Sequence, residues 1–209
     1  MKNKEFGALA QRLLPDMPVF EVKAPLMFIP PLKHTLRGLC FESHSYDVKL
    51  FYVWVFLLPL CVPTKYLGFN LGKRIENPGL GPWNADAPNL LPQLSAALKR
   101  EAVPFISHVE SPRDLAQAAK SLCRTKDPYT QEAIAYALAC AGDARKAVAE
   151  LDTLLAMLDT KVPWQVEMVE RAQALKAKLL ANPAEARGQL EAWENESVKN
   201  LGLEKFRRI

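Results

Sequence analysis

The stretch Glu42-Ser43-His44-Ser45-Tyr46-Asp47 gathers the residue types of hydrolytic chemistry: hydroxyl nucleophiles, an imidazole and carboxylates. A hydrolase needs a nucleophile, a base and an orienting acid that converge on one point. Neighbours along a strand end or turn point mostly apart. Neither serine stands in a G-x-S-x-G elbow. The segment therefore reads as a loop, and no catalytic residue is assigned. His34, His44 and His108 are far apart, without i, i+4 partners or paired cysteines, so no metal site is expected. No spacing marks a glycosidase-type carboxylate pair. Gly79-Leu80-Gly81 lacks the third glycine and the GK[ST] ending of phosphate loops, so no cofactor is expected. An enzyme stays as the alternative reading, hydrolase-like, with Glu42, His44 or His108 brought together in a sheet–helix cleft.

Cys40, Cys61, Cys123 and Cys140 form no C-x-x-C pair. They read as free thiols, the first two in strand-like runs and the last two in helical ones. Met1-Lys2-Asn3-Lys4-Glu5 lacks the apolar stretch of a signal peptide, which points to a reducing cytoplasm. The balance of 27 basic against 23 acidic residues, a formal net charge of +4, is mild. The densest basic group, Lys205, Arg207 and Arg208, reads as a solvated tail, and nucleic acid is not an expected partner. The uncharged run from Leu50 to Val62 falls short of the roughly 20 residues of a spanning helix and suits a buried strand, so no membrane is expected.

These residues must be positioned by two kinds of element. In a chain of 209 residues, 49% hydrophobic and 24% charged, there is material for one large domain or two small ones. Phe6, Leu9, Ala10 and Leu13 predict an amphipathic helix from about Lys4 to Leu14, ended by Pro15 and Pro18. Val19 to Ile29, broken by Pro25, reads as an edge element or two short pieces. Thr35 to Glu42 follows as a strand, and Val48 to Leu58, apolar on both faces, as the central one. Alternation from Tyr66 to Ile75 predicts a further, hairpin-connected strand, in which Gly68 to Gly72 mark close packing. Glu76 to Pro88 is a Pro/Gly loop holding Trp83, either an exposed interface anchor or a pin on its own domain.

From Asn89 the period becomes helical. A first helix is expected to stop at Pro104. After it, Ser111-Pro112, Asp127-Pro128 and Asn182-Pro183, with Val162-Pro163 as a weaker copy, repeat one punctuation. The cap side chain accepts from a first-turn N–H, and proline fits the position that needs no donor. Asp114, three residues after Ser111, makes a short-armed capping box. Trp193 shares a helical face with Leu190 and is expected in the core. The fold class is α+β: an N-terminal helix and a small, mostly antiparallel sheet, then a C-terminal stack of helices. Residues 1–88 form the sheet region and 89–209 the helical region. The change near Pro88 also fits a layer change inside one continuous domain.

Ile134, Ala135, Gly142, Ala147 and Leu151 stand where a tetratricopeptide repeat has its large, small, turn, small and large residues. Residues 129–158 therefore resemble one such repeat, although Gln131 replaces the family's early tryptophan, Leu138 its later aromatic, and the closing proline is absent. A true array needs about three repeats. The resemblance implies a concave groove exposing Tyr129, Glu132 and Tyr136, at i, i+3 and i+7 of one face. Tyr129, Glu132, Tyr136 and Trp83 are the expected partner-binding residues, although Tyr136 could instead pack inward. The expected function is non-catalytic protein binding, as in a bacterial immunity protein or adaptor, with a protein as partner. A third alternative is a structural homo-oligomer subunit.

Overall fold

Each repeated proline opens a helix in the computed structural model, which describes residues 1–122 and 127–207. Cys123 and Arg208 lie outside the described residues. Helix α4 (Pro112–Leu122), α5 (Pro128–Cys140), α7 (Pro163–Ala181) and α8 (Pro183–Asn200) all begin at a proline. The caps are those the sequence implies. Ser111 Oγ accepts from the Asp114 N–H at 3.3 Å, and the Asp114 carboxylate accepts from the Ser111 N–H at 2.8 Å. Asp127 accepts from the Thr130 N–H at 2.8 Å, and Asn182 from the Ala184 N–H at 3.1 Å.

Helix α1 (Asn3–Leu13) lays Phe6, Leu9, Ala10 and Leu13 into the core. The sheet follows: β1 (Glu21–Lys23), β2 (Leu26–Phe28), β3 (Thr35–Ser43), β4 (Leu50–Pro59), β5 (Gly72–Arg74) and β6 (Trp83–Asn84). All pairings are antiparallel, in the order β1-β2-β3-β4-β5, with β6 also on β4. The run broken by Pro25 is a two-strand edge hairpin, and β4 is central. Phe51, Val53, Val55 and Leu57 of β4 face α1 and the helical stack, whereas Phe56 and Leu58 face a second apolar cluster. That second cluster is closed by the end of the chain, through Val198, Leu203 and Phe206.

Two expectations fail here. Only Gly72–Arg74 of the run from Tyr66 to Ile75 pairs as a strand, so Gly68 lies in the preceding loop. Phe69 nonetheless packs, stacking on Trp54 at 4.9 Å, which accounts for the apolar alternation without a ladder. Close packing does hold at Gly72, where a Cβ would meet the Val55 carbonyl at 2.7 Å. Pro104 does not stop its helix either. Helix α2 (Leu90–Ala97) widens into a π-turn over Leu98–Ala102 and continues as α3 (Val103–Ser107), with Pro104 in the new first turn. The π-turn resets the hydrogen-bond register, so the missing proline N–H falls where no donor is needed.

Helix α5 is the centre of the stack. It buries Ala133, Ile134, Ala135, Tyr136, Ala137, Leu138 and Ala139, on all sides rather than on one stripe. The alanines let α4, α6 (Ala144–Met157) and α8 approach closely. It ends at Gly142, whose φ of +77° suits glycine. The Gly142 N–H donates to the Ala139 carbonyl and the Asp143 N–H to that of Leu138, both at 3.0 Å, which closes the turn into α6. One apolar cluster runs from Phe6 through Trp83 to Leu190, across the change of period near Pro88.

Candidate functional site

The two ends of α5 open onto different cavities. At its first turn, Tyr129, Glu132 and Ala133 form one wall of a cleft of about 170 Å³. The end of β4 (Leu57 to Pro59), the following loop (Val62 to Thr64, Gly68, Asn70 and Leu71) and Arg171 of α7 form the rest. The loop is held by α8. The Ser197 hydroxyl donates to the Val62 carbonyl at 3.1 Å and accepts from the Thr64 N–H at 3.2 Å. Tyr129 stands at the mouth with its ring stacked on Trp164, centroids 5.1 Å apart and planes 10° from parallel. The two residues are 44% and 43% exposed.

The cleft contains a fixed charge pair. Arg171 donates to Glu132 through Nε at 2.5 Å and through Nη2 at 2.9 Å. Glu132 is 1% exposed, and burial pushes its carboxyl up against the opposing pull of Arg171. Beside the pair lies Tyr136, whose ring stacks on Trp193 of α8 at 5.5 Å. Its hydroxyl makes no hydrogen bond of good geometry among the described residues, because the adjacent guanidinium is committed to Glu132.

The expected partner-binding residues are thus divided. Tyr129 is at the surface. Glu132 and Tyr136 are not, because α7 supplies Arg171 and α8 folds Trp193 back over the face that a repeat array would leave open. Trp83 is also interior, at 2% exposure, and its Nε1 donates to the Ile75 carbonyl at 3.1 Å. Pairing of β6 with β4 draws that loop onto the sheet, so Trp83 is a pin, not an anchor. Trp193 is packed against the core, as its shared face with Leu190 implies. Sequence reasoning missed Trp164 as the partner of Tyr129, since the two open different helices.

The enzyme alternative required Glu42, His44 or His108 to converge. Each is engaged by a different neighbour. Glu42 accepts from Trp54 Nε1 at 2.7 Å, His44 accepts from the Tyr46 N–H at 3.3 Å, and His108 pairs with the Pro104 carbonyl at 2.8 Å. Arg74 lies over the Tyr52 ring, 4.0 Å from its centroid, on the same open sheet face as Glu42.

A different ionisable group does converge, at the other end of α5. His34 Nδ1 lies 2.9 Å from Glu194 Oε2, and Arg207 donates to Glu194 Oε1 at 2.9 Å. The remaining imidazole nitrogen is available to the Cys140 thiol, which also interacts with the Cys61 thiol. The Cys140 interaction, followed by that of Glu194, raises His34 to about 9. The hydrogen bond from Cys61 holds the Cys140 thiol below its ordinary value, against burial and with help from His34. Cys61 is wholly interior, and its thiol is pushed up by Cys140 and by burial. His34 is placed by a tight turn. The Thr35 N–H donates to the Lys33 carbonyl at 2.6 Å across it, with His34 at a φ of +61°. That i→i+2 turn is rare and strained for a non-glycine residue. A cavity of about 300 Å³, reached past Lys33, Arg187 and Glu191, opens on Cys140 and His34. No local motif announces this group, because its members come from the start of β3, the end of β4, α5 and α8. Among the described residues no trio of His, Cys, Asp or Glu is arranged to hold a metal ion, and no helix is long and apolar enough to cross a membrane.

Comparison with protein-family models, with curated proteins and with solved structures finds no match to this chain.

Proposed function

We propose that this protein is a non-catalytic protein-binding module, of the kind represented by bacterial immunity proteins and adaptors, and that its partner docks at the cleft beside the first turn of α5. The stacked pair Tyr129–Trp164 carries this reading. Two large aromatic residues, 44% and 43% exposed, stand stacked where Tyr129 borders a mostly apolar cleft, beside an arginine already fixed by a buried carboxylate. Tyrosine, tryptophan and arginine are the residues that dominate binding energy at protein interfaces. Mutual stacking fixes both rings before contact, so little side-chain entropy is lost on binding. Tyr66, 80% exposed, belongs to the loop that forms the opposite wall. A cleft of about 170 Å³ has room for one bulky partner side chain. The net charge of +4 favours a partner with an acidic patch and argues against neutralisation of a basic nuclease.

Affinity capture from the native host, with the wild type beside a Tyr129→Ala/Trp164→Ala double variant, tests this reading. Both positions are at the surface, so the variant's melting temperature should stay close to that of the wild type. The expected outcome is a stoichiometric protein partner retained by the wild type and lost by the variant. Equal retention by both proteins, or no stoichiometric partner for either, speaks against it.

A further inference from the structure

We propose that Cys140 and Cys61, served by His34 and Glu194, form a thiol–disulfide exchange site that a small-molecule disulfide oxidises through the cavity beside Cys140. Cys61 belongs to the apolar cluster on which Cys140 packs, each thiol perturbs the other, and the two are unequal in access. Cys61 is 0% exposed, whereas Cys140 is only partly buried and lines the cavity of about 300 Å³. Cys140 is therefore the attacking sulfur and Cys61 the resolving one. The histidine is held for the task. Glu194, itself clamped by Arg207, fixes Nδ1 and leaves the other nitrogen uncommitted to it, in the cavity wall that His34 shares with Cys140. The imidazolium and the Cys61 thiol stabilise a thiolate at a helix C-terminus, where the helix dipole alone would oppose one.

The same geometry disfavours acyl transfer. Such a reaction needs backbone donors aimed at an oxyanion. The N–H groups that follow Cys140, those of Ala141, Gly142 and Asp143, are all spent on α5 carbonyls at 2.9, 3.0 and 3.0 Å. Disulfide exchange needs no oxyanion site.

The exchange balances as follows. The Cys140 thiolate attacks one sulfur of R–S–S–R; a Cys140–SR bond forms, the R–S–S–R bond breaks, and the departing thiolate takes the His34 proton to leave as RSH. Cys61 sulfur then attacks Cys140 sulfur; the Cys61–Cys140 bond forms, the Cys140–SR bond breaks, and the second thiolate leaves as RSH with the proton that Cys61 gives up. The protein loses two electrons and two protons, and the small disulfide gains them.

Reduced full-length protein is mixed with oxidised glutathione at pH 7, quenched with acid and iodoacetamide, and mapped by mass spectrometry. The expected product is a peptide pair joined through Cys61 and Cys140. Cys61→Ser should halt the reaction at a glutathione adduct on Cys140, and Cys140→Ser should leave Cys61 reduced. The native Cys140 should react roughly tenfold faster at pH 7 than the same residue in the urea-unfolded chain, because more of it is thiolate. His34→Gln should remove that advantage and move the pH midpoint of the rate up towards the ordinary thiol range. Melting curves of each variant show whether it is folded. Equal rates in the native and unfolded chains, an adduct on another cysteine first, or the absence of a Cys61–Cys140 bond in folded wild type would each overturn the proposal.

Discussion

Arg171 is the residue on which the cleft depends. Its removal strands the carboxylate of Glu132, which is 1% exposed. Breaking a buried pair from one side costs about 3–5 kcal/mol, because an uncompensated charge remains inside. Arg171→Ala should lose stability of that order in urea at pH 7, and the deficit should shrink on acidification, as Glu132 is already pushed towards its neutral form by burial. The double variant Glu132→Gln/Arg171→Met should lose less than Arg171→Ala; an equal or larger loss would show the pair to be more than a charge-compensated one. Glu194 has the opposite sign. Burial raises its carboxyl, but His34 and Arg207 outweigh that and hold it below the ordinary value. It therefore contributes stability that is present above the unfolded-state value and lost as pH falls through the native one. Glu194→Gln should be less stable than the wild type at pH 7, by about 3 kcal/mol, and the two urea midpoints should converge as the pH falls below the ordinary carboxylate range. Parallel midpoints over that range would refute the assignment. Neither partnership could be read from the chain. Glu132 and Tyr136 carry the spacing of an exposed face, and only the packing of α7 and α8 over α5 makes that face interior. His34 and Glu194 meet from opposite ends of the sequence.

The helices announce themselves, because a cap is a local device. A side-chain oxygen and the N–H two or three residues on decide it, and Ser111, Asp127 and Asn182 are all found in that role. Features that depend on pairing with a distant element are hidden. The residues around Phe69 alternate like a strand because Phe69 packs on Trp54, yet the backbone there makes no ladder. Trp83 sits in a loop by its Pro/Gly surroundings and in the sheet by its pairing with Phe51. Glycine offers a direct test of the element boundaries. Gly142 closes α5 at a φ of +77°, and Gly188 sits within α8; a Cβ at either would meet nothing within 4 Å. With space out of the comparison, only backbone preference remains. Gly142→Ala should destabilise by about 1 kcal/mol, and Gly188→Ala should stabilise by roughly 0.5–1 kcal/mol. Melting temperatures shifted in the same direction would contradict these assignments.

At the scale of the molecule, the helical stack and the sheet share an apolar cluster that runs from Phe6 to Leu190, and the chain's end seals the opposite sheet face. Leu203 is 0% exposed there, and Phe206 meets Phe28 edge-on at 5.0 Å. Leu203→Ala should cost about 2–5 kcal/mol, the range for a buried leucine. Its unfolding should remain one transition, with far-ultraviolet circular dichroism and tryptophan fluorescence coinciding; two separated transitions would show that sheet and stack unfold independently. This arrangement leaves the mouth of the cleft, with its Tyr129–Trp164 stack, as the surface on which the binding proposal rests. A photo-crosslinking phenylalanine derivative placed at position 164 in the native host, with the same derivative at Leu180 (67% exposed) as control, reads that surface directly. The expected result is a discrete adduct with one host protein from position 164 and none from position 180. No adduct from position 164, or the same set of adducts from both positions, would contradict a binding role for the cleft.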